Sequence, residues 1–205
     1  DNDDGDPINN KAEFMLRFTD IIYRSPFGLS STMETIVDEC VHLLFRPFQD
    51  ERGRLGMITP ENMPTLNDLQ DMLAARPEQE AHELAMAYKL YTHDGSMNVF
   101  SFQSNVNANN RFVVYQIKDV SERLKPLAML TLMEAAWGKM VSNRKIGRST
   151  WLYCDEIHLL FQNELAATYL DTIFRRARKY LGIPTGITQN VSSLLESQHA
   201  CSMLQ

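Results

Sequence analysis

Two apolar runs in this chain end on side chains that can act on a phosphate. Trp151-Leu152-Tyr153-Cys154 runs straight into Asp155 and Glu156, and Pro184-Thr185-Gly186-Ile187 runs straight into Thr188, Gln189 and Asn190. An aspartate at a strand end can hold a Mg²⁺ ion, usually through water. An adjacent glutamate can orient and deprotonate a water attacking a phosphoanhydride, help typically worth ~10²–10⁴ in rate. A glutamine on the neighbouring strand can contact both that water and the terminal phosphate, and so report whether the phosphate is present.

Taken alone, four apolar residues before Asp-Glu read equally well as a solvated strand end or a helix cap. The glutamine-bearing run one helical crossover away favours a Walker B strand. On that reading Asp155 serves Mg²⁺, while Glu156 and Gln189 serve bound ATP and its hydrolysis. Open α/β sheets bind ligands beyond the carboxyl ends of their strands, which is where both groups fall.

The other candidates read more plainly. Arg175, Arg176, Arg178 and Lys179 end the helix between the two strands. Positive charge in a last helical turn complements the helix dipole. The sharper alternative makes one of them, best Arg178, an arginine finger reaching the ATP of a neighbouring subunit, a role worth ~10³–10⁵ in rate. His158, two residues after Glu156, resembles the histidine of DEAH helicases but reads more plainly as a residue on a helix face; Arg144-Lys145-Ile146-Gly147-Arg148 could touch DNA or a partner but reads more plainly as a solvated basic turn. Met129, Met133 and Met140 form a stripe expected to fill a core.

The elements around these residues come from periodicity. Residues 1–10 are acidic and rich in Gly, Pro and Asn, and are expected to be extended. Phe14, Met15, Phe18, Ile21 and Ile22 predict a helix from Lys11 to Arg24. Ser25-Pro26-Phe27-Gly28 breaks it. A second helix is expected from Ser31 or Thr32, with Glu34 at capping-box spacing from Ser31 and a stripe of Met33, Ile36, Val37, Cys40, Val41 and Leu44. Residues 46–64 read as a loop. Thr65 and Asp68 mark the next helix start, and Pro77 opens a further helix through Leu84, Met86 and Leu90.

The pattern changes near Met97. Phe112-Val-Val-Tyr-Gln-Ile117 predicts a strand. A long helix over about Glu122–Val141 needs Pro126 in its first turn. Strand 151–154, helix 164–181, strand 183–187 and a helix from Ser192 then alternate as in a parallel sheet with crossover helices. Both strands are nearly all apolar or small, as expected where helices cover both faces. The fold class is therefore α/β, with a mostly helical region at 11–97 and an α/β core at 98–205.

Composition narrows the classes. The net charge of −6 argues against a protein that coats nucleic acid over its whole surface. Cys40, Cys154 and Cys201 are widely spaced and no CxxC occurs, which favours reduced thiols in a cytosolic protein. No histidine pair has zinc-ligand spacing. No apolar run approaches the ~20 residues of a membrane helix.

Three segments carry a resemblance: Gln103–Tyr115, Trp151–Phe161 and Arg178–Asn190. Together they resemble the VirB-four-type ATPases of conjugation and type IV secretion, most closely the forms of Gram-positive conjugative elements. The likeness spans about residues 6–205 and is strongest from 98 onward. It implies a RecA-like P-loop NTPase core of the HerA/FtsK branch, with residues 11–97 as an all-α insertion. It implies a homo-hexamer that uses ATP and Mg²⁺ at the cytoplasmic face of a secretion channel, with channel proteins as partners. DNA contact is left open, and the membrane is reached only through partners. It implies the Walker B role for Asp155 and Glu156, the sensor role for Gln189, and the trans-acting role for Arg178.

One departure stands out. The family needs a GxxxxGK[ST] loop to hold the phosphates, and this sequence has none. The expectation is a piece of a longer ATPase that by itself binds ATP weakly or not at all. Two rivals differ in class: a non-catalytic scaffold of the secretion machinery, and a DNA translocase of the HerA/FtsK type.

Overall fold

A computed structural model describes residues 6–59, 61–104, 110–161, 164–189, 191–195 and 200–201. The chain divides into two compact units, Asp1–Val113 and Val114–Gln205.

The first unit is helical among its described residues. Helix α1 spans Pro7–Tyr23. It begins earlier than the apolar periodicity suggests, so residues 7–10 are helical rather than extended. The cause is local: the Asp6 carboxylate accepts the Ile8 N–H at 2.9 Å, Pro7 pre-sets the first turn, and Ile8 is buried. Helix α2 spans Ser31–Phe45 and is capped by Ser30, one residue before the expected cap, whose hydroxyl accepts the Met33 N–H at 3.2 Å. Helix α3 (Leu66–Ala74) has the expected Thr65–Asp68 capping box.

Helix α4 is Gln79–Tyr88, with Glu78 at its N-cap, so Pro77 lies just outside it. Its buried face is Ala81, Leu84, Ala85 and Tyr88, spaced i, i+3, i+4, i+7. Met86 falls off that face and is 67% exposed, contrary to the expected stripe. The core of this unit joins Phe14, Phe18, Ile36, Val37, Leu69, Leu73 and Leu84. Its buried hydroxyls pair with each other, Thr19 Oγ1 and Tyr88 Oη lying 2.7 Å apart.

The second unit is α/β. Helix α5 spans Lys125–Lys145 with Pro126 in its first turn, where no hydrogen bond is lost. Strand β1 is Thr150–Cys154. The short helix α6 (Ile157–Leu160) follows, then α7 (Glu164–Ala177). A 3-10 turn at Arg178–Tyr180 leads into strand β2 (Gly182–Gly186), and α8 is Val191–Leu195. The two strands are parallel, in register from Thr150↔Gly182 to Cys154↔Gly186.

The sheet covers its core on one face. Cys154, with Leu152 packed against it, meets Met129, Met133, Met140, Leu170, Ile173 and Ala177. The methionine stripe is thus core, as read from the sequence. The expectation of strands covered on both faces does not hold among the described residues. Trp151 and Tyr153 are 59% and 60% exposed and stack on each other, with ring centroids 6.2 Å apart. The apolar composition of β1 therefore has two causes: burial on one face, aromatic side chains on an open one.

The strand expected at Phe112–Ile117 does not form either. That stretch straddles the division between the units and carries no ladder, and Phe112 is 81% exposed. High β-propensity makes a strand only where a neighbouring backbone completes the hydrogen bonds.

Candidate active site

Register builds the site. Cys154 and Gly186 are the last paired residues, and two further backbone bonds carry the ladder past them. Ile187 N–H donates to Cys154 O, and Ile157 N–H donates back to Ile187 O, each at 2.9 Å. The residues between and just beyond, Asp155-Glu156 and Thr188-Gln189, are forced to meet at the carboxyl end of the sheet.

Glycine makes the approach possible. A Cβ on Gly186 would lie 2.8 Å from Ile157 Cδ1 and 3.2 Å from Cγ2, closer than side chains tolerate. The Ile157 side chain fills that space, is 2% exposed, and anchors α6 on the strand pair.

Glu156 sits at the hinge between β1 and α6 in a left-handed conformation, φ 47° and ψ 44°. For a residue with a Cβ this stores roughly 1–2 kcal/mol of strain. The turn aims its carboxylate back across the strand ends. Gln189 Nε2 donates to Oε1. His158 Nδ1 lies 3.4 Å from Oε2 and 3.1 Å from Thr188 Oγ1. Oε2 is buried and accepts no hydrogen bond, the one such side-chain atom among the described residues. A buried carboxylate oxygen without a donor costs roughly 1–3 kcal/mol or more, which marks this atom as open to a donor such as a water.

Asp155 is exposed. Its Oδ1 accepts the Glu156 N–H at 3.0 Å, which leaves its other oxygen for solvent or an ion. Among the described residues no three acidic, histidine or cysteine side chains converge on one point. A lone carboxylate at a strand end is the donor set of a Mg²⁺ ion that keeps several waters and takes its remaining oxygens from phosphates. Beneath the site, burial pushes the Cys154 thiol up to about 11, so this cysteine is an inert part of the core.

The structure brings Asp155, Glu156 and Gln189 together. Arg178 stands apart from them, in the turn that precedes β2, with a strand of ~3.3 Å per residue between. Arg175 pairs with Asp171 at 2.7 Å, and Arg176 lies over the Trp137 ring at 5.9 Å. Arg178 is exposed and its side chain makes no hydrogen bond or ion pair with the described residues. Arg144 of the basic turn lies over the Tyr180 ring at 4.8 Å, a packing contact. His158, read from the sequence as a helix-face residue, is inside the site, its side chain 17% exposed. Its signal was its position two residues after Glu156: across a tight strand-to-helix turn, i and i+2 can share a side. Asn190 lies outside the described residues.

No curated protein matches the chain. Among solved structures, one described as VirB4 of Thermoanaerobacter pseudethanolicus matches with a TM-score of 0.74 at 20% identity, over 95% of this chain and 53% of that one. The chain therefore spans about half the length of that protein and shares its α/β P-loop ATPase fold over that span. The model of the TraG P-loop domain matches residues 68–201, the greater part of the chain and all of the strand-end constellation, and the chain belongs to that family.

Proposed function

We propose that this chain carries the hydrolytic half-site of an ATPase that drives conjugative transfer or type IV secretion. The observation that carries the reading is the Glu156 carboxylate, held at the carboxyl end of two parallel strands with Gln189 on one oxygen and nothing bonded to the other. Asp155 would hold Mg²⁺, which would neutralise charge on the phosphoanhydride that ATP brings. Glu156 takes the proton of the attacking water at Oε2, the oxygen that lacks a donor. Gln189 leaves Oε1 for the terminal phosphate when one is present, and so couples the sensor strand to the base.

Arg178 acts on a neighbouring subunit's nucleotide. Its place in the turn before β2, at the opposite end of that strand from Gln189, supports this reading, and its guanidinium has no partner among the described residues. That role requires an oligomer, and we take a homo-hexamer at the cytoplasmic face of the secretion channel, with channel proteins as partners. No helix among the described residues is long and apolar enough to cross a membrane. DNA contact belongs to the same proposal only where salt-dependent binding is found. The phosphate loop the reaction needs has no counterpart among these residues, since GxxxxGK[ST] is absent from them.

The test is Glu156→Gln in the native gene product. ATP hydrolysis should fall by ~10² or more, in line with loss of a general base, while ATP binding persists. Hydrolysis at the unaltered rate would remove Glu156 from its role.

A further inference from the structure

We propose that His158 and Thr188 are positioning residues for the Glu156 carboxylate, an inference that rests on Glu156 being the base. Glu156 is approached from two sides: Gln189 donates to Oε1, and His158 Nδ1 lies 3.4 Å from Oε2, close without yet forming a hydrogen bond. His158 Nδ1 lies between two oxygens, Thr188 Oγ1 at 3.1 Å and Glu156 Oε2 at 3.4 Å. A ring with its proton on Nε2 would turn the Nδ1 lone pair toward a buried carboxylate oxygen, lone pair against lone pair. A ring with its proton on Nδ1 presents a donor to the one buried oxygen that has none. The carboxylate thus selects the Nδ1–H tautomer, because which nitrogen carries the proton is set by the partner it faces.

The chain geometry supports this assignment. Thr188 and Gln189 are consecutive, and Glu156 and His158 are two apart on the turn that β1 makes into α6. Each strand end contributes one residue to each side of the grip, Gln189 with Glu156 and Thr188 with His158. The side chain of His158 is 17% exposed and that of Glu156 32%, so the ring is largely shielded while water still reaches the carboxylate. Glu156 is also on a strained backbone, and a strained turn needs contacts that hold the side chain where the turn aims it.

Two measurements test the proposal. The first uses the 205-residue chain without nucleotide and reads the ¹⁵N shifts of His158 at a pH where those shifts themselves show a neutral ring. The expected result is a protonated Nδ1 in the wild type, changing to a protonated Nε2 in Glu156→Ala, where Nδ1 then accepts from Thr188. A protonated Nε2 in the wild type, or a tautomer indifferent to Glu156→Ala, overturns the proposal.

The second measures hydrolysis by the native gene product. His158→Leu should lower kcat by roughly 10- to 100-fold, the scale of a misplaced catalytic group, with KM for ATP unchanged. His158→Asn, which keeps an N–H at the δ position, should recover most of the loss, and His158→Gln, which moves it to the ε position, should not. Full kcat in His158→Leu beside an inactive Glu156→Gln overturns the positioning role alone. Full kcat in Glu156→Gln overturns the reading of Glu156 as the base and, with it, this proposal, even where the tautomer still follows the carboxylate.

Discussion

The left-handed backbone at Glu156 predicts that the proposed base costs the fold stability, and the pair Glu156→Ala and Glu156→Gly isolates that cost. Both variants delete the same carboxylate, its bond from Gln189 and its contact with His158. They differ only in a Cβ on a residue at φ 47°. That Cβ costs roughly 1–2 kcal/mol in the left-handed region, and glycine returns it less ~0.5–1 kcal/mol for the freer unfolded chain. The glycine variant should exceed the alanine variant by about 0–1.5 kcal/mol, centred on ~0.75 kcal/mol, which in a unit the size of Val114–Gln205 is a central Tm difference of about 3–6 °C. Relief of the left-handed strain is the one term that separates the two variants, so the glycine variant should melt above the alanine variant while both lose hydrolysis. Differential scanning calorimetry of the three chains settles it. An alanine variant as stable as the glycine variant would refute the strained hinge.

Three further outcomes follow from named contacts. Gly186→Ala drives a Cβ into Ile157 Cδ1 at 2.8 Å, and should destabilise the chain by ~1–3 kcal/mol; adding Ile157→Val, which deletes that carbon, should restore most of the loss in urea denaturation. Burial raises the thiols of Cys40 and Cys154, the latter to about 11 from 9.0, and the Tyr88 hydroxyl as well. The folded state keeps these protons where the unfolded state releases them, so stability is whole below pH ~9 and falls as pH rises toward ~11, by up to ~1.4 kcal/mol per pH unit for each group; Cys154→Ala should flatten that fall in pH-dependent urea melts. Under native conditions an alkylating reagent should modify the half-exposed Cys201 before the buried Cys40 and Cys154, and equal rates at all three, followed by mass spectrometry, would contradict the packing.

Much of this architecture was legible because it obeys local rules. The Thr65–Asp68 capping box, the buried methionines of α5, the strand–helix–strand crossover and the pairing of Asp155-Glu156 with Gln189 all follow from spacing or from a strand's habit of presenting ligands at its carboxyl end. The misreadings arose where one signal had two physical causes. Apolar β1 looked like a doubly covered strand, but its alternate residues are Trp151 and Tyr153, whose stacked rings occupy an open face. Phe112–Ile117 has strand composition, yet strand is a property of pairs, and composition does not name a partner. His158 was read mainly as a helix-face residue, despite its place two residues after Glu156, because helical periodicity assigns i and i+2 to different faces. The left-handed turn at Glu156 breaks that periodicity just where it matters.

That turn also explains why the site depends on register more than on any single contact. The ladder continues past Cys154↔Gly186 through Ile187 and Ile157, so the number of residues between Gly186 and Gln189 decides which side chain faces Glu156. A one-residue slip in a strand exchanges its two faces. Inserting one alanine between Ile187 and Thr188 would place a threonine hydroxyl near the position Gln189 holds, and would carry the present Thr188 away from His158. Both grips on Glu156 would go at once, while β1, β2 and the core beneath Cys154 would keep their contacts. Hydrolysis lost with the melting transition of the unit nearly unchanged would show that the strand pair works as a ruler. A collapse of that transition would mean instead that Gln189, Thr188 and His158 hold the fold together, and that their meeting on Glu156 is structural.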